Sequence, residues 1–279
     1  MPWRLTSDVE EYAERTSDLL LSSPVEHTVA LTVLENVRGG RRWSEEPMLF
    51  GWYDDGAEVR SAVFRTPPFE LLLAVVPEEA TTVLVAALRD AGADVPGVNG
   101  DAGSVDRFVD AWTAATGEHG TTTLALDLYE LGTLSHPEPA PDGRARLAEE
   151  GDLDVAVRWY TAFQEETPTP STDVLPLVRE RMDERRLWLW EDAAGVPVSL
   201  AARTAAVAGV ARIAPVYTPP EHRRNGYAGA LTAHVTAQIL AQGNQACLYT
   251  DLANPTSNKL YARIGYLPVA DAIDLTFTS

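Results

Sequence analysis

The sequence is poor in cysteine and lacks long apolar runs. Its one cysteine, Cys247, cannot form a disulfide within the chain. No apolar run approaches the roughly 18 residues that a membrane-spanning helix needs, and no basic segment leads into an apolar one at the N-terminus. From these absences we expect a soluble cytoplasmic protein with no membrane partner.

Positive charge is also scarce. The chain has 22 lysines and arginines against 41 aspartates and glutamates, which gives a formal net charge of −19. Because this charge repels nucleic-acid and lipid phosphates, we expect no nucleic-acid partner, whereas a cationic acceptor such as an amine is favoured. The 5 histidines are scattered and show no ligand spacing with the one cysteine, so we expect no metal.

What is present is an ordinary globular composition. The chain has 279 residues, 45% of them apolar, which suits one large domain or two of modest size. Residues 134–143 contain three prolines among small and polar residues, a pattern typical of a stiff, extended linker. We therefore predict one domain at 1–133, a linker at 134–143 and a second domain at 144–279.

The two predicted halves repeat one order of elements. Apolar spacing predicts two helices, three strands, two helices and a strand in the first half. It predicts two helices, three strands, a long helix, a strand, a helix and two closing strands in the second. The second of these helices is placed at 171–186 behind a Ser-Thr-Asp cap, and the closing strands at 267–270 and 273–277. No sequence period relates the halves, so element order alone indicates duplication, and chance similarity between two α/β units stays open.

Residues 216–231 have the pattern of a strand-loop-helix anion site. The first turn of a helix leaves backbone N–H groups unpaired and carries partial positive charge, which suits a diphosphate. Gly226, Ala228 and Gly229 would let phosphate oxygens approach these amides, and Arg223 and Arg224 would add charge. The alternative is that the small residues only let the helix pack on the sheet while the arginines face water.

Two segments carry a family resemblance. The pattern Arg223-x-x-Gly226-x-Ala228 resembles the coenzyme A pyrophosphate motif of the GCN5-related N-acetyltransferase (GNAT) superfamily. Residues 248–266 resemble the next strand and helix of that family, in the correct order. The resemblance covers 144–279, where the sequence is most similar to the FR47-like acetyltransferases, while the first half resembles the family only in element order. It implies an α/β (α+β) fold with a GNAT-like mixed, mostly antiparallel sheet flanked by helices, in two tandem copies.

The resemblance also implies the residues that bind acetyl-CoA. The strand at Val216, Tyr217 and Thr218 would pair with the pantetheine arm like an added strand. The amides of the next turn would hold the pyrophosphate, and they belong to Arg223, Arg224, Asn225, Gly226, Tyr227, Ala228 and Gly229. Asn254 and Asn258 would bond pantetheine or phosphate groups, although Asn254 is equally explained as a helix cap and nothing else.

The resemblance implies Tyr261 as the catalytic acid that protonates the departing thiolate. A buried core aromatic is the competing interpretation. For a base, Glu165 or Glu166 could deprotonate an ammonium, but solvated helix-end carboxylates explain them as well. Asp251 could face the acceptor or cap the following turn. Cys247 lies inside a predicted strand and is expected to fill the core.

The first half departs from the family pattern at the cofactor loop. The strand at 69–76 is followed at once by Pro77, Glu78 and Glu79 and a helix, with no arginine-glycine loop. Since these carboxylates would repel a diphosphate, we predict a degenerate half that does not bind coenzyme A.

The function implied is an acetyl-CoA-dependent N-acetyltransferase that transfers an acetyl group by direct attack to a primary amine, expected to belong to a small molecule, in a monomer or homodimer. The alternatives are a non-catalytic acyl-CoA sensor and a structural protein that uses the fold only for assembly.

Overall fold

The chain forms two compact units. A computed structural model describes residues 3–167 and 173–278. Unit 1 comprises Met1–Asp127 together with Ala270–Ser279, and unit 2 comprises Leu128–Val269. The segment predicted as a linker, 134–143, therefore lies inside unit 2, and the end of the chain belongs to unit 1. The domain bounds proposed from sequence stay a prediction.

Unit 1 has the predicted helices and strands in the predicted order, together with two short strands that were not predicted. Its elements are β1 (Arg4–Thr6), α1 (Val9–Ser22), α2 (Thr28–Arg38), β2 (Leu49–Asp54), β3 (Val59–Arg65), β4 (Leu71–Val75), α3 (Glu78–Asp90), β5 (Gly97–Asp101), α4 (Ala102–Thr116) and the first part of β6 (His119–Leu131). Its strand order is β1-β2-β3-β4-β5 followed by the end of β12 (Tyr266–Thr278). The pair β4–β5 is parallel, and the other registered neighbours are antiparallel.

Unit 2 has the same order of elements. They are β7 (Arg144–Leu147), α5 (Leu153–Glu166), α6 (Val174–Asp183), β8 (Leu187–Glu191), β9 (Pro197–Arg203), β10 (Val210–Tyr217), α7 (Tyr227–Ala241), β11 (Gln245–Asp251), α8 (Pro255–Ile264) and the start of β12. The strands run in the order β6-β11-β10-β9-β8-β7, with β10–β11 parallel and β7–β8, β8–β9 and β9–β10 antiparallel.

Helices cover both faces of the unit 2 sheet. Side chains alternate along β8, so Trp188 packs in the cluster with α7 and α8, while Leu187 and Leu189 pack in the cluster with α5 and α6. Helix α7 is apolar around most of its circumference and is largely buried, as expected of a helix that packs against the sheet and against other segments of the same chain. The predicted mixed, mostly antiparallel sheet flanked by helices, in two copies, is confirmed.

Three element predictions need comment. The closing strands expected at 267–270 and 273–277 are one continuous strand, β12, whose residues 272–276 pair with β5. Strands β1, β5 and β7 were not predicted. The helix expected at 171–186 is α6, capped by the Asp173 side chain, which accepts from the Leu175 amide at 3.1 Å; positions 171 and 172 lie outside the described residues.

Candidate active site

Two neighbouring parallel strands of unit 2 part at their C-terminal ends. The register between β10 and β11 runs from Val210–Arg212 opposite Gln245–Cys247, although β10 continues to Tyr217 and β11 to Asp251. Past Arg212, β10 keeps its other neighbour, β9, with an irregular register between Ile213 and Val216. Ligands of α/β sheets bind in crevices at the carboxyl ends of strands. The parted ends can accept an extended ligand as a further strand.

The end of β10 has its own supporting contacts. Tyr217 is buried against α5 and α6, whereas Val216 packs on the opposite cluster, with α7 and α8. The Ser199 hydroxyl donates to the Tyr217 carbonyl at 3.1 Å and lies 2.8 Å from the Thr218 hydroxyl. The Thr218 carbonyl already accepts from Arg223 Nε at 2.8 Å. Val216 is therefore the predicted strand residue best placed to present backbone groups to a ligand.

The loop after β10 delivers the chain to the start of α7. Gly226 is the residue before the helix, with φ of 84°, a left-handed conformation that glycine adopts without strain, and no side chain caps it. The first intrahelical bond from this residue runs from the Ala230 amide to the Gly226 carbonyl at 3.1 Å. The amides of Tyr227, Ala228 and Gly229 precede that bond and belong to the open first turn.

Two polar residues shape this loop. Asn225 turns its amide inward, donating from Nδ2 to the His222 carbonyl at 3.1 Å. Arg224 is exposed and has φ of 67°, a left-handed value that is uncommon for a side-chain-bearing residue. The loop is thus held by its own hydrogen bonds, and no side chain caps the first turn of α7.

Arg223 is bound within the protein. Its Nη2 lies 2.7 Å and 3.0 Å from the two carboxylate oxygens of Glu166 at the end of α5. Its guanidinium also lies 5.8 Å from the centroid of the Tyr217 ring. Tyr217 in turn donates its hydroxyl to Glu166 Oε1 at 3.0 Å. Sequence spacing could not have found this cluster, because its members come from a helix, a strand and a loop.

The candidate bases differ in their surroundings. Both glutamates are exposed, and Glu166 is ion-paired to Arg223. Asp251 Oδ1 accepts from the Ala253 amide at 2.8 Å, as expected if this residue caps the following turn. Cys247 is fully buried, in agreement with its interpretation as a core residue.

Tyr261 lies in the core cluster against which Val216 and Tyr227 also pack. It is 9% exposed, and its ring meets that of Tyr266 edge-on at 6.3 Å. Burial raises the pKa of the Tyr261 phenol to about 12, so the hydroxyl remains protonated at neutral pH. The structure thus brings this phenol into one cluster with the end of β10 and the start of α7.

The two asparagines of α8 are partly committed to the protein. Asn254 caps the helix by accepting from the Ser257 amide at 3.1 Å. Asn258 Oδ1 accepts from the Thr250 hydroxyl at 2.7 Å. Each retains an NH2 group, which can donate to a carbonyl or a phosphate.

The segment predicted as a spacer packs beside the anion site. A Cβ atom placed on Gly226 would lie 3.8 Å from Pro141, and one placed on Gly229 would lie 3.6 Å from Pro137. The Trp190 indole donates to the Asp142 carbonyl at 3.0 Å. The proline pattern indicated an extended chain but gave no sign that it lines α7.

Part of unit 2 matches a known protein family. The family model described as FR47-like protein matches residues 195–272, which include the parted strands, the loop, α7 and α8. No curated protein sequence matches the chain.

Several solved structures share the fold over nearly the whole chain. A GNAT-family acetyltransferase from Colwellia psychrerythraea has a TM-score of 0.61 at 10% identity, covering 100% of both chains. A GCN5-related N-acetyltransferase from Sphaerobacter thermophilus has a TM-score of 0.62 at 19% identity, covering 98% of this chain and 94% of that one. A tandem GNAT protein from the clavulanic acid biosynthesis pathway has a TM-score of 0.55 at 12% identity, covering 99% and 98%.

Proposed function

Since residues 195–272 are FR47-like and the chain has the tandem GNAT fold, we propose that unit 2 is an acetyl-CoA-dependent N-acetyltransferase acting on a primary amine of a small molecule. The observation that carries the proposal is the pairing of two features: strands that part at their carboxyl ends, and an open helix N-terminus one short loop away. The first suits an extended pantetheine arm and the second a diphosphate.

Each of the remaining residues has a part in this proposal. A strand amide near Val216 polarises the thioester carbonyl, while the NH2 groups of Asn254 and Asn258 bond pantetheine or phosphate oxygens. The amides from Arg224 to Gly229 hold the pyrophosphate, while the Arg223 amide, also predicted for this role, donates to the Pro220 carbonyl at 3.3 Å. The acidic surface, with a formal net charge of −19, favours a cationic acceptor. No group of metal-ligating side chains occurs among the described residues, and the proposed chemistry requires no metal.

The transfer itself is a direct displacement. The neutral amine nitrogen attacks the thioester carbonyl, a C–N bond forms, and the C–S bond breaks as Tyr261 donates its proton to sulfur. The proton that the nitrogen then loses returns through water to the Tyr261 phenolate, which restores the phenol. Burial raises the pKa of this phenol to about 12, so it is a weaker acid than a tyrosine in water. The same dry surroundings raise the pKa of the thiol that forms beside it, so the proton transfer becomes more favourable.

Calorimetric titration with acetyl-CoA tests the proposal. The Gly226→Glu variant places a carboxylate at the open amides and should abolish binding. Any side chain at Gly226 is strained, because φ is 84° there. The matched control is Gly243→Glu, which adds the same charge at φ of 76° at the far end of α7, with nothing within 4 Å of its Cβ. No binding to the wild type would overturn the proposal, as would equal loss in both variants.

The localisation remains an expectation from sequence. Among the described residues, no helix combines the length and the apolar character that crossing a bilayer requires.

A further inference from the structure

Three side chains from different elements meet at the edge of the proposed cofactor loop. Glu166 ends α5, Tyr217 ends β10 and Arg223 lies in the loop before α7. The Arg223–Glu166 ion pair has an N–O distance of 2.7 Å, and its side chains are 44% and 47% exposed. Tyr217 is 6% exposed and holds the same carboxylate through its hydroxyl. A pair so exposed contributes little to stability.

The ion pair conflicts with the ligand proposed for this loop. A diphosphate at the start of α7 carries at least two negative charges and would attract the guanidinium of Arg223 strongly, because arginine is well suited to phosphate oxygens. The carboxylate of Glu166 competes for that guanidinium. Either the guanidinium stays with Glu166 or it turns toward the diphosphate, and the second arrangement leaves the carboxylate without its cation.

We infer that Glu166 binds the ammonium form of the acceptor. In the free protein Arg223 occupies the Glu166 carboxylate, and the carboxylate becomes available when the cofactor diphosphate binds that guanidinium instead. This inference rests on the proposed function. It identifies the acceptor as a cation when it arrives and places its first contact at the end of α5.

Tyr217 keeps Glu166 in position after the exchange. Its hydroxyl donates to Glu166 Oε1 at 3.0 Å, and its ring is fixed in the core between α5 and α6. Burial, followed by the hydrogen bond to Glu166, raises the pKa of the Tyr217 phenol, so it remains a donor at neutral pH. The carboxylate therefore stays with the Tyr217 hydroxyl, and its other oxygen, Oε2, is freed for a cation.

The exchange makes two ligands reinforce each other. An ammonium ion at Glu166 releases Arg223 for the diphosphate, and a diphosphate at Arg223 releases Glu166 for the ammonium ion. By linkage, each ligand must tighten the binding of the other by the same factor.

Titration of Glu166→Gln with acetyl-CoA tests the exchange, because the variant's affinity should rise in one case and fall in the other. If the carboxylate competes with the diphosphate, its neutral amide should tighten binding by about 1.5- to 5-fold, the range of an exposed ion pair. If Glu166 only holds the loop in place, binding should weaken. Glu165→Gln is the matched control, because this exposed neighbour has the same charge and should leave affinity unchanged.

A second titration tests the ammonium site with coenzyme A itself, which cannot be consumed. Replacing sodium chloride by propylammonium chloride at fixed ionic strength should tighten coenzyme A binding to the wild type but not to Glu166→Gln. Equal affinity in the two salts would overturn the ammonium site. Unchanged or weaker acetyl-CoA binding by Glu166→Gln, with normal binding by the wild type, would overturn the exchange and leave the proposed function standing.

Discussion

The two units share an order of elements but differ at the same pair of strands. In unit 2, β10 and β11 part beyond Arg212. In unit 1, β4 and β5 stay in contact, with Leu71–Leu73 opposite Val98–Gly100. The contact is so close that a Cβ atom on Gly100 would lie 2.1 Å from the Leu73 carbonyl oxygen. The crevice proposed to hold an extended ligand in unit 2 is thus closed in unit 1.

The polar groups at the end of β4 are also occupied by the protein. The Val76 amide donates to the Ser104 hydroxyl at 3.0 Å, and Arg107 donates to the Val76 carbonyl at 2.8 Å. Helix α3 then begins with Glu78 and Glu79 in its first turn. One fold can therefore present a ligand site or close it, and short side-chain contacts at the strand end make the difference.

The largest expected effect concerns the number of cofactors bound. If only unit 2 has a usable loop, calorimetry should give one acetyl-CoA per chain, and Gly226→Glu should weaken that binding at least 100-fold, because a carboxylate would stand where the diphosphate binds. A stoichiometry of two, or half the binding sites surviving in the variant, would break the comparison between the units.

A substitution at Tyr261 makes unit 2 resemble unit 1. Tyr261 lies seven residues after the cap Asn254, and Phe108 lies seven after the cap Asp101 of α4. Tyr261→Phe should lower kcat by about 10²- to 10⁴-fold, because it removes the acid, and leave acetyl-CoA affinity unchanged. Release of free thiol measures kcat, and calorimetry measures affinity. Full activity in the variant would favour a passive core tyrosine, and acetyl-CoA binding without turnover in the wild type would favour the sensor.

A half-buried carboxylate in unit 1, Asp274, gives a pH-dependent prediction. Burial, and then repulsion by Glu70, raises the pKa of Asp274 from 3.8 to about 6. The folded state therefore holds this proton more tightly than the unfolded state, so stability falls as pH rises from about 4 to 6. Asp274→Asn should add on the order of 1–2 kcal/mol at pH 7 and nothing below pH 4. Chemical denaturation at pH 7 and pH 3.5 measures the stability difference between the variant and the wild type. An equal gain at pH 3.5 would refute the raised pKa of Asp274.

The smallest expected effect distinguishes a helix-capping role of Asn254 from a contact with the cofactor. Asp101 accepts from the Ser104 amide at 2.8 Å, as Asn254 accepts from that of Ser257 at 3.1 Å. Replacing either by Ala should cost about 1 kcal/mol of stability. Only Asn254→Ala should also weaken acetyl-CoA binding, by a few-fold. If both variants bind equally well, Asn254 is a cap and nothing else.

Local patterns predicted the parts of the site that lie close together in sequence. The loop glycine, the open first turn of α7 and the cap of α8 are short-range features, because backbone conformation and capping depend on adjacent residues. The Arg223–Glu166 contact could not be predicted, since it joins a loop to a helix far away in the chain.

Strand β5 was missed for a related reason. Its sequence, Gly97-Val98-Asn99-Gly100-Asp101, is rich in residues that strands disfavour. It is a strand because it lies between β4 and β12, where Asn99 stands opposite Asp274. Long-range pairing decided its structure, and no local window contains that partner.

The assignment of Ala270–Ser279 to unit 1 has a consequence for synthesis on the ribosome. Residues 272–276 are the partners of β5, yet they are translated only after all of unit 2 has been made. During translation, β5 must therefore wait with an unpaired edge, and unit 1 cannot complete its sheet before unit 2 has left the exit tunnel. Unit 1 would then be the last to finish folding, which exposes it to chaperones and aggregation for longest.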